Sequence, residues 1–422
     1  YISSMTEFAS DQGGKTMAES PSDLPTGLQL TVMDPVFRET PAVYLDKLRS
    51  QDPVHRDLEL NRLFLTRASD VAALLKDRSL SADTRNAGPG TYGAALSEFR
   101  TDGEERSMLM LDDPDHKRLR SLVTQAFNQR AIDAVKPRIV ETAESLLDAI
   151  DPDQPFDIIA SYAGPLPTVV IAEMLGIDAA DQDDFRRWSA GTDQSFNPVI
   201  TPEQRAVIDE AVSALNDYLG RITEARRSEP GDDLISGMIA AADQGTQLST
   251  TEIVTMCQLL LVAGNVTTTD LIGNGVVALL QRPEELDKLR RDPDLIGNTV
   301  EEILRFDPPV VQTMRTTVED RDIAGVAVSK GDSLMPSLQA ASLDPELNPD
   351  PHNFDVARSR PTHFAFGGGA HFCLGAPLAR AEAQIALPML FDRFPNLRLT
   401  DQVLERKIAP AFNGFGEIWV EA

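Results

Sequence analysis

The sequence has little of what a disulfide-stabilised, membrane-bound or nucleic-acid-binding protein requires. Its 422 residues include two cysteines, Cys257 and Cys373, which are too few for a disulfide framework and indicate a reducing, cytoplasmic compartment. Lys and Arg total 39 against 66 Asp and Glu. The formal charge of -27 argues against binding to nucleic acid or to anionic membranes. We therefore expect a cytoplasmic protein whose partners include neither nucleic acid nor lipid.

The N-terminal segment, residues 1–27, is polar and rich in serine and glycine, without an apolar signal region. Tyr1 to Ser4 precede a methionine, as residues added in front of a start codon would. We predict that this tail is disordered. Residues 28–422 contain no internal repeat and no composition shift typical of a linker, which favours one large domain.

Helical patterns outnumber strand patterns, so the sequence predicts a mainly α protein with small β-sheets, of the α+β class. They dominate residues 114–281. A hairpin is predicted with residues 63–66 as its second strand, followed by a helix opened by Ser69 or Asp70. Apolar alternation around a Lys330-Gly331 turn predicts further strands.

The longest predicted helix reads "LSTTEIVTMCQLLLVAGNVTTTDLIGNGVVALLQRP". Ser249 and Glu252 form a capping box at its start, and Pro283 ends the pattern. Its centre, residues 263–269, combines a glycine with β-branched residues and is poor helix material. A weak centre in so long a helix indicates a site. Four polar residues interrupt any run long enough to cross a bilayer: Gln258, Asn265, Asp270 and Asn274.

Cys373 lies in "HFAFGGGAHFCLGAPLAR", between three glycines and the predicted start of a helix, where N–H groups favour an anion such as a thiolate. A thiolate attacks as a nucleophile, binds zinc or ligates iron. Zinc needs further ligands that are absent nearby, and a nucleophile needs a base such as His116 or His363. Haem iron needs one axial ligand and a backbone that can approach the macrocycle. An inert buried cysteine also fits.

The stretch resembles the cysteine-loop signature of the cytochrome P450 family, the haem-thiolate monooxygenases. Six positions fit that signature: Phe366, Gly367, Gly369, His371, Cys373 and Gly375. "EEILRF", with Glu302 and Arg305, resembles the family's structural ExxR helix, and "VAGNVTTTD" resembles its distal helix. "MLMLDDPDHKRLRSLVTQAF" resembles the segment that leads to the haem edge. The four motifs stand in the family's order, and the resemblance covers the chain from about residue 34.

The resemblance implies a soluble bacterial-type fold with haem b buried between the long distal helix and the cysteine loop. It implies that Cys373 binds the iron and that propionate partners are His116, Arg120, Arg315 and His371. The other implied haem-binding residues are Ala263, Gly264, Phe366 and Gly375. The implied substrate pocket draws on residues 85–100 and on Val262, Ala263, Val266, Val310, Val311 and Phe412. These side chains are mainly small and apolar, which predicts an uncharged or weakly polar hydrophobic substrate.

The implied reaction is the insertion of one oxygen atom from O2 into that substrate. Because the chain ends soon after Cys373, the electrons are expected from NAD(P)H through a ferredoxin reductase and a ferredoxin, with the enzyme as a monomer. Between residues 116 and 138 the chain has six basic residues and one acid, Asp133. This local excess predicts a basic surface that attracts an acidic ferredoxin. The six basic residues are Lys117, Arg118, Arg120, Arg130, Lys136 and Arg138. A solvated helix face is the alternative reading.

The distal helix departs from the family pattern at one position. Val266 stands where the family has an acid that helps to deliver protons, while the alcohol, Thr267, remains. Either Thr267 and Asn265 hold the proton-carrying water, or Asp270 substitutes from the next turn, or delivery is slow. Two alternatives therefore stay open: a peroxygenase of the same fold that uses hydrogen peroxide, and a haem-binding sensor or carrier without catalysis. A structural role is the expectation for His363.

Overall fold

The computed structural model describes residues 24–97, 106–193, 200–243 and 248–422. The predicted disordered tail therefore lies almost wholly outside the described residues. Helices dominate the described chain, as predicted. In chain order, α1 to α15 span Pro35–Glu39, Ala42–Gln51, Ala68–Lys76, Tyr92–Ser97, Asp115–Val123, Gln129–Asp148, Pro165–Leu175, Gln182–Asp193, Pro202–Ser228, Leu234–Asp243, Thr250–Leu280, Pro283–Arg291, Ile296–Phe306, Leu338–Ser342 and Ala376–Arg393.

The described strands form small sheets, which confirms the predicted α+β class. In chain order, β1 to β9 span Val54–Asp57, Arg62–Leu65, Phe156–Asp157, Arg315–Thr316, Arg321–Ile323, Val326–Val328, Ser333–Pro336, Arg398–Leu399 and Trp419–Glu421. One sheet has the strand order β1-β2-β7-β4, a second has β3-β9-β8, and β5 pairs with β6. In the first sheet β2 runs parallel to β7, with Leu63 opposite Leu334, so distant parts of the chain meet there.

Helix α11 is the central element of the fold and confirms the predicted long helix. It spans 31 residues, and the Ser249 hydroxyl accepts from the Glu252 N–H while the Glu252 carboxylate accepts from the Ser249 N–H. This capping box satisfies two N–H groups that the first turn leaves open. Its sides pack against α7, α9, α13 and α15. Most of the buried apolar residues of α11 therefore lie in the largest apolar core.

The predicted hairpin is present as β1 and β2, but the helix that follows begins earlier than predicted. Helix α3 starts at Ala68, and neither Ser69 nor Asp70 caps it. Instead, the N–H of Ala68 donates to the carboxylate of Asp344 at 2.8 Å. A side chain from a distant part of the sequence thus caps this helix, which no local pattern can predict.

The second predicted strand region also differs in detail. The β5–β6 hairpin turns at Ala324 and Gly325, both with positive φ, whereas Lys330 and Gly331 lead from β6 into β7 of another sheet. Gly331 has φ of +92°, and a Cβ there would lie 2.7 Å from the backbone nitrogen of Gly88. The predicted turn exists, but it connects two sheets rather than two strands of one hairpin.

Candidate active site

The cysteine loop, residues 363–375, is closed by short backbone hydrogen bonds. The N–H of Gly367 donates to the Phe364 carbonyl at 2.7 Å, and the N–H of Cys373 donates to the Phe366 carbonyl at 2.9 Å. These bonds tie Cys373 directly to the aromatic residue at the start of the loop. Helix α15 begins three residues later, so Cys373 lies just before a helix N-terminus, as predicted.

The glycines of the loop serve two purposes. Gly367 and Gly369 have φ of +67° and +66°, in the left-handed region that favours glycine. A Cβ at Gly369 would lie 2.0 Å from the carbonyl oxygen of Leu75 in α3. A Cβ at Gly368 would lie 3.1 Å from the Cβ of Leu75. Gly369 therefore approaches the backbone of α3, and Gly368 approaches the Leu75 side chain. The glycine run fixes both the turn and the distance between the loop and α3.

The sulfur of Cys373 is surrounded by groups that suit a thiolate. The backbone N–H groups of Gly375 and Ala376 donate to it, and Arg120 and Arg380 lie near enough to attract its negative charge. Burial raises the pKa of Cys373, and these donors and cations oppose the rise. Such N–H donors are the contacts that orient and tune a metal-bound sulfur.

The surroundings do not favour zinc or a nucleophilic cysteine. Within the described ranges, no three His, Cys, Asp or Glu side chains come together to hold a metal ion. The two candidate bases have other partners. The ring of His116 packs against that of His371 at 4.1 Å between centroids, and His363 hydrogen-bonds to Glu301. A group that needs one thiolate ligand fits Cys373 better.

Four basic side chains predicted to bind the propionates form one cluster. They come from α5, β4 and the cysteine loop: His116, Arg120, Arg315 and His371. Burial lowers the pKa of His371 to about 3, and the charges of Arg315, His116 and Arg120 add to this effect. Burial is also the main cause of the lowered pKa of His116. The cluster therefore repels further positive charge and favours an anionic ligand.

Arg315 gives the clearest indication of such a ligand. Its side chain is 7% exposed, and burial lowers its pKa. It donates to the Met314 carbonyl at 2.7 Å, and Arg120 donates to the Phe372 carbonyl at 2.7 Å. Neither guanidinium makes an ion pair with any residue of the described ranges. A buried guanidinium without an ion-pair contact is costly, so this donor set fits the two propionate carboxylates of a haem.

Helix α11 carries one accessible strip in the middle of its buried length. Ala263 is exposed there, and Val262, Gly264, Val266 and Thr267 are partly exposed, whereas the following turn is buried. The Thr267 hydroxyl donates to the Ala263 carbonyl one turn back, at 2.7 Å. The strip is therefore apolar except for one hydroxyl, and it contains most of the α11 residues predicted to contact haem or substrate.

The other two polar residues predicted to act in proton delivery lie off this strip. Asn265 is buried, and its carbonyl oxygen accepts from the Thr168 hydroxyl of α7 at 2.8 Å. Asp270 is also buried and accepts from the Lys407 ammonium at 2.8 Å. Burial raises the pKa of Asp270, although Lys407 opposes the rise. Of the three predicted groups, only Thr267 faces the accessible region.

Three of the remaining predicted substrate-pocket residues, Val310, Val311 and Phe412, come together at one place. Val310 and Phe412 form an antiparallel backbone bridge, and the N–H of Val311 donates to the Ala411 carbonyl at 3.1 Å. The Asn274 amide of α11 donates to the carbonyls of Asp307 and Asn413 at 3.0 and 2.7 Å, which ties both segments to α11. Part of residues 85–100, namely 98–100, lies outside the described residues.

The Glu302–Arg305 pair is part of the core, not of the surface. Both side chains are 0% exposed, and the Arg305 guanidinium donates to the Glu302 carboxylate at 2.7 and 2.8 Å. Arg358 donates to both oxygens of Glu302 at 3.1 Å, and Arg305 also donates to the Pro351 carbonyl at 2.7 Å. The pair thus fastens the segment that precedes the cysteine loop to α13.

Glu382, a buried carboxyl on α15, was not among the residues predicted from the sequence. Burial raises its pKa to about 8, although a hydrogen bond from the Thr268 hydroxyl of α11 opposes the rise. Its Oε1 has no hydrogen-bond partner in the described ranges. The signal was present, because Glu382 stands between the apolar residues Leu378 and Ala386 of the buried face.

Comparison with known proteins agrees with this geometry. The family model for Cytochrome P450 matches residues 63–409. The vitamin D(3) 25-hydroxylase of Pseudonocardia autotrophica is 40% identical over 369 residues, which cover 86% of this chain and 88% of that protein. The cytochrome P450 monooxygenase PikC of Streptomyces venezuelae is 38% identical over 382 residues, or 89% of each chain.

Solved structures are similar over nearly the whole chain. The ligand-free crystal structure of Mycobacterium smegmatis CYP164A2 superposes with a TM-score of 0.83 at 36% identity, covering 94% of this chain and 100% of that one. Myxobacterial CYP267B1 in complex with myristic acid gives a TM-score of 0.83 at 38% identity, covering 93% and 98%. No helix in the described ranges is long and apolar enough to cross a membrane. The chain belongs to the cytochrome P450 family of haem-thiolate monooxygenases, whose cofactor is haem b.

Proposed function

We propose that this enzyme inserts one oxygen atom from O2 into a hydrophobic small molecule, with electrons from NAD(P)H through a ferredoxin reductase and a ferredoxin. The observation that carries the proposal is a thiolate site at Cys373 beside a basic cluster whose two guanidinium groups, Arg120 and Arg315, make no ion pair within the described ranges. Haem bound there supplies the oxidising chemistry. The protein supplies the axial thiolate, the anion-binding groups and the control of protons.

Cys373 would hold the iron, and the N–H groups of Gly375 and Ala376 would stabilise its negative charge. His116, Arg120, Arg315 and His371 would bind the propionates. Because His371 lies among cations, its neutral ring suits a role as a hydrogen-bond partner, and the guanidinium groups supply the charge.

Proton delivery is assigned to Thr267, since its hydroxyl is the polar group on the accessible strip of α11. Val266, in the place of the usual acid, carries no proton. Burial raises the pKa of Glu382 to about 8, so this carboxyl, hydrogen-bonded to Thr268 next to Thr267, keeps its proton within the core near neutral pH. Asn265 and Asp270 then act through packing, because both are committed to partners off the strip.

The substrate is proposed to be uncharged or weakly polar and largely apolar. Val262, Ala263 and Val266 supply the α11 side of the pocket, and the bridged pair Val310 and Phe412 supplies another wall. Such linings select by shape and hydrophobic contact. Relatives with this fold are named for vitamin D(3) or bind myristic acid, which is consistent with apolar ligands of this kind.

The surface for ferredoxin is smaller than the sequence predicted. Three of the six basic residues already have acidic partners. Arg118 pairs with Glu252, Lys136 with Asp133, and Arg138 with both Glu173 and Glu141. Lys117 and Arg130 are exposed and make no ion pair within the described ranges. Next to Cys373, the ring of Phe372 is 42% exposed. We propose that these residues receive the ferredoxin.

A peroxygenase reaction is the second candidate, because Val266 lies on the accessible strip in place of an acid. The two functions are separated by turnover of purified haem protein with a ligand that shifts the Soret band. Product formed with NADPH, reductase and ferredoxin, at a higher rate than with hydrogen peroxide, supports the monooxygenase. The reverse order of rates supports the peroxygenase, and binding without product in either system contradicts both. We further propose that the enzyme acts as a cytoplasmic monomer.

A further inference from the structure

A second charged group lies on the cysteine side of the site, separate from the propionate cluster. Glu301 of α13 accepts from Arg380 of α15 at 2.6 and 2.9 Å. It also accepts from His363 at 3.1 Å. Burial alone would raise the pKa of Glu301, but these hydrogen bonds and charges lower it to about 2. Glu301 is therefore ionised throughout the physiological pH range.

The geometry fixes the tautomer of His363. The backbone N–H of Ala365 donates to His363 Nδ1 at 3.2 Å, so Nδ1 is an acceptor. The proton of the neutral ring is then on Nε2, which donates to Glu301. His363 thus links Glu301 to the start of the cysteine loop through both of its ring nitrogens.

Arg380 connects this group to the sulfur. Its guanidinium carbon lies 4.5 Å from the centroid of the Phe366 ring, and the Phe366 carbonyl accepts the N–H of Cys373 at 2.9 Å. Arg380 also lies near enough to Cys373 for its positive charge to act on the sulfur. Arg380 is only 31% exposed on its side chain, so water screens this interaction incompletely.

We propose that Glu301 and Arg380 are a pair of positioning residues that set the electron-donating strength of the Cys373 thiolate through opposite charges. Arg380 stabilises negative charge on the sulfur and at the iron bound to it. Through their ion pair, Glu301 cancels part of the positive charge of Arg380. The inference rests on haem ligation by Cys373, which is part of the proposed function.

Opposite charges lead to opposite shifts of the haem reduction potential. Reduction adds an electron at the iron, so a nearby cation favours the reduced form and a nearby anion opposes it. Glu301→Gln should shift the potential to more positive values, and Arg380→Gln should shift it to more negative values. Loss of packing alone would move both variants in the same direction.

The experiment is a spectroelectrochemical titration of the substrate-free haem protein and its variants. Glu301→Gln and Arg380→Gln should give shifts of opposite sign, and the double variant should lie between them. Arg380→Lys, which keeps the charge, should remain nearer to the parent than Arg380→Gln does. Asp148→Asn is the matched control, because it breaks an exposed 2.6 Å ion pair between Asp148 and Arg393, which lies on α15 like Arg380. This variant should leave the potential unchanged.

Shifts of equal sign, or no shift in either variant, would overturn the proposal. The CO complex of each reduced variant keeps this result separate from the proposed function. If the parent lacks the red-shifted Soret band of thiolate ligation, ligation by Cys373 itself fails. If the band is present in the parent and the variants, the potentials test the pair alone. Glu301→Ala, which also removes the negative charge, serves as a replacement in case Glu301→Gln does not fold.

Discussion

The cysteine side and the α11 side of the site satisfy their polar groups in opposite ways. On the cysteine side, buried charges such as those of Glu302, Arg305 and Arg358 are paired several times over. On the α11 side, Thr267 donates to its own helix and Val266 offers no polar group. Charged networks hold one side rigid, and an apolar strip leaves the other free for a ligand. Substitutions should therefore damage structure on the first side and selectivity or coupling on the second.

The largest effect is expected at Cys373. Cys373→Ser removes the thiolate, so the reduced protein should lose the red-shifted Soret band of its CO complex. Cys257→Ser is the control, since Cys257 is fully buried in α11 and its pKa is raised by burial. It should keep the band. A thiolate-type spectrum in Cys373→Ser would refute the assignment of the axial ligand.

The next effect is a loss of stability on the cysteine side. Glu302→Gln leaves the buried guanidinium of Arg305 without its partner and weakens the contact with Arg358. Breaking a buried pair in this way costs about 3–5 kcal/mol of unfolding free energy. Urea unfolding of the haem protein measures it. Asp148→Asn, at an exposed pair, should be close to the parent, and equal losses in both variants would contradict a special role for the buried group.

Glu382, which joins α15 to α11 through Thr268, should make the unfolding free energy depend on pH. Its folded pKa of about 8 lies above the ordinary value of 4.5, so the unfolded chain releases this proton first as the pH rises. The unfolding free energy should fall by about 1.4 kcal/mol per pH unit across that interval and level off above it. Glu382→Gln should remove this slope, whereas Glu405→Gln, at an exposed position, should retain it. An unchanged slope in Glu382→Gln would mean that the carboxyl is ionised when folded.

A smaller effect, on coupling rather than stability, is expected at the α11 strip. Thr267→Ala removes its hydroxyl, so the peroxide formed per NADPH should rise several-fold with a tight-binding substrate. Val266→Ala removes only bulk and should change this ratio little. Asp270→Asn should also couple like the parent, because Asp270 bonds to Lys407 off the strip. A well-coupled Thr267→Ala enzyme would strengthen the peroxygenase alternative.

The smallest effect is expected on the protein surface. Lys117→Glu and Arg130→Glu should slow reduction by an acidic ferredoxin a few-fold, more at low salt than at high salt. Lys136→Glu is the matched control, because Lys136 already pairs with Asp133 at 2.8 Å. Substrate affinity should be unchanged in all three. If Lys136→Glu slows reduction as much as the others, the effect is one of net charge and not of a defined docking surface.

Local sequence patterns predicted the elements well and the partners poorly. The capping box of α11, the turn glycines and the position of Cys373 before α15 follow from short-range rules, and all are present. The cap of α3 by Asp344 and the contact of Asn265 with Thr168 join residues far apart in the chain. Such pairings depend on how the elements pack, which no single stretch encodes.

The same limit applied to charge. The predicted basic surface took into account only the one acid between residues 116 and 138. In the fold, Arg118 pairs with Glu252 and Arg138 with Glu173, both outside that range. Glu302 was recognised only through the family resemblance, since Glu and Arg at that spacing usually form a weak surface pair. Burial turned an ordinary helical spacing into a core ion pair, and burial is a property of the whole fold.

The contact of Gly369 with Leu75 has a consequence for the order of folding. The cysteine loop can reach its final shape only after α3, near the start of the chain, has docked beside it. The parallel pairing of Leu63 with Leu334 joins equally distant segments. Contacts of such large sequence separation form slowly, because the loop between them must close first. The thiolate site can therefore be completed only after α3 and the cysteine loop, which lie far apart in the chain, have come together.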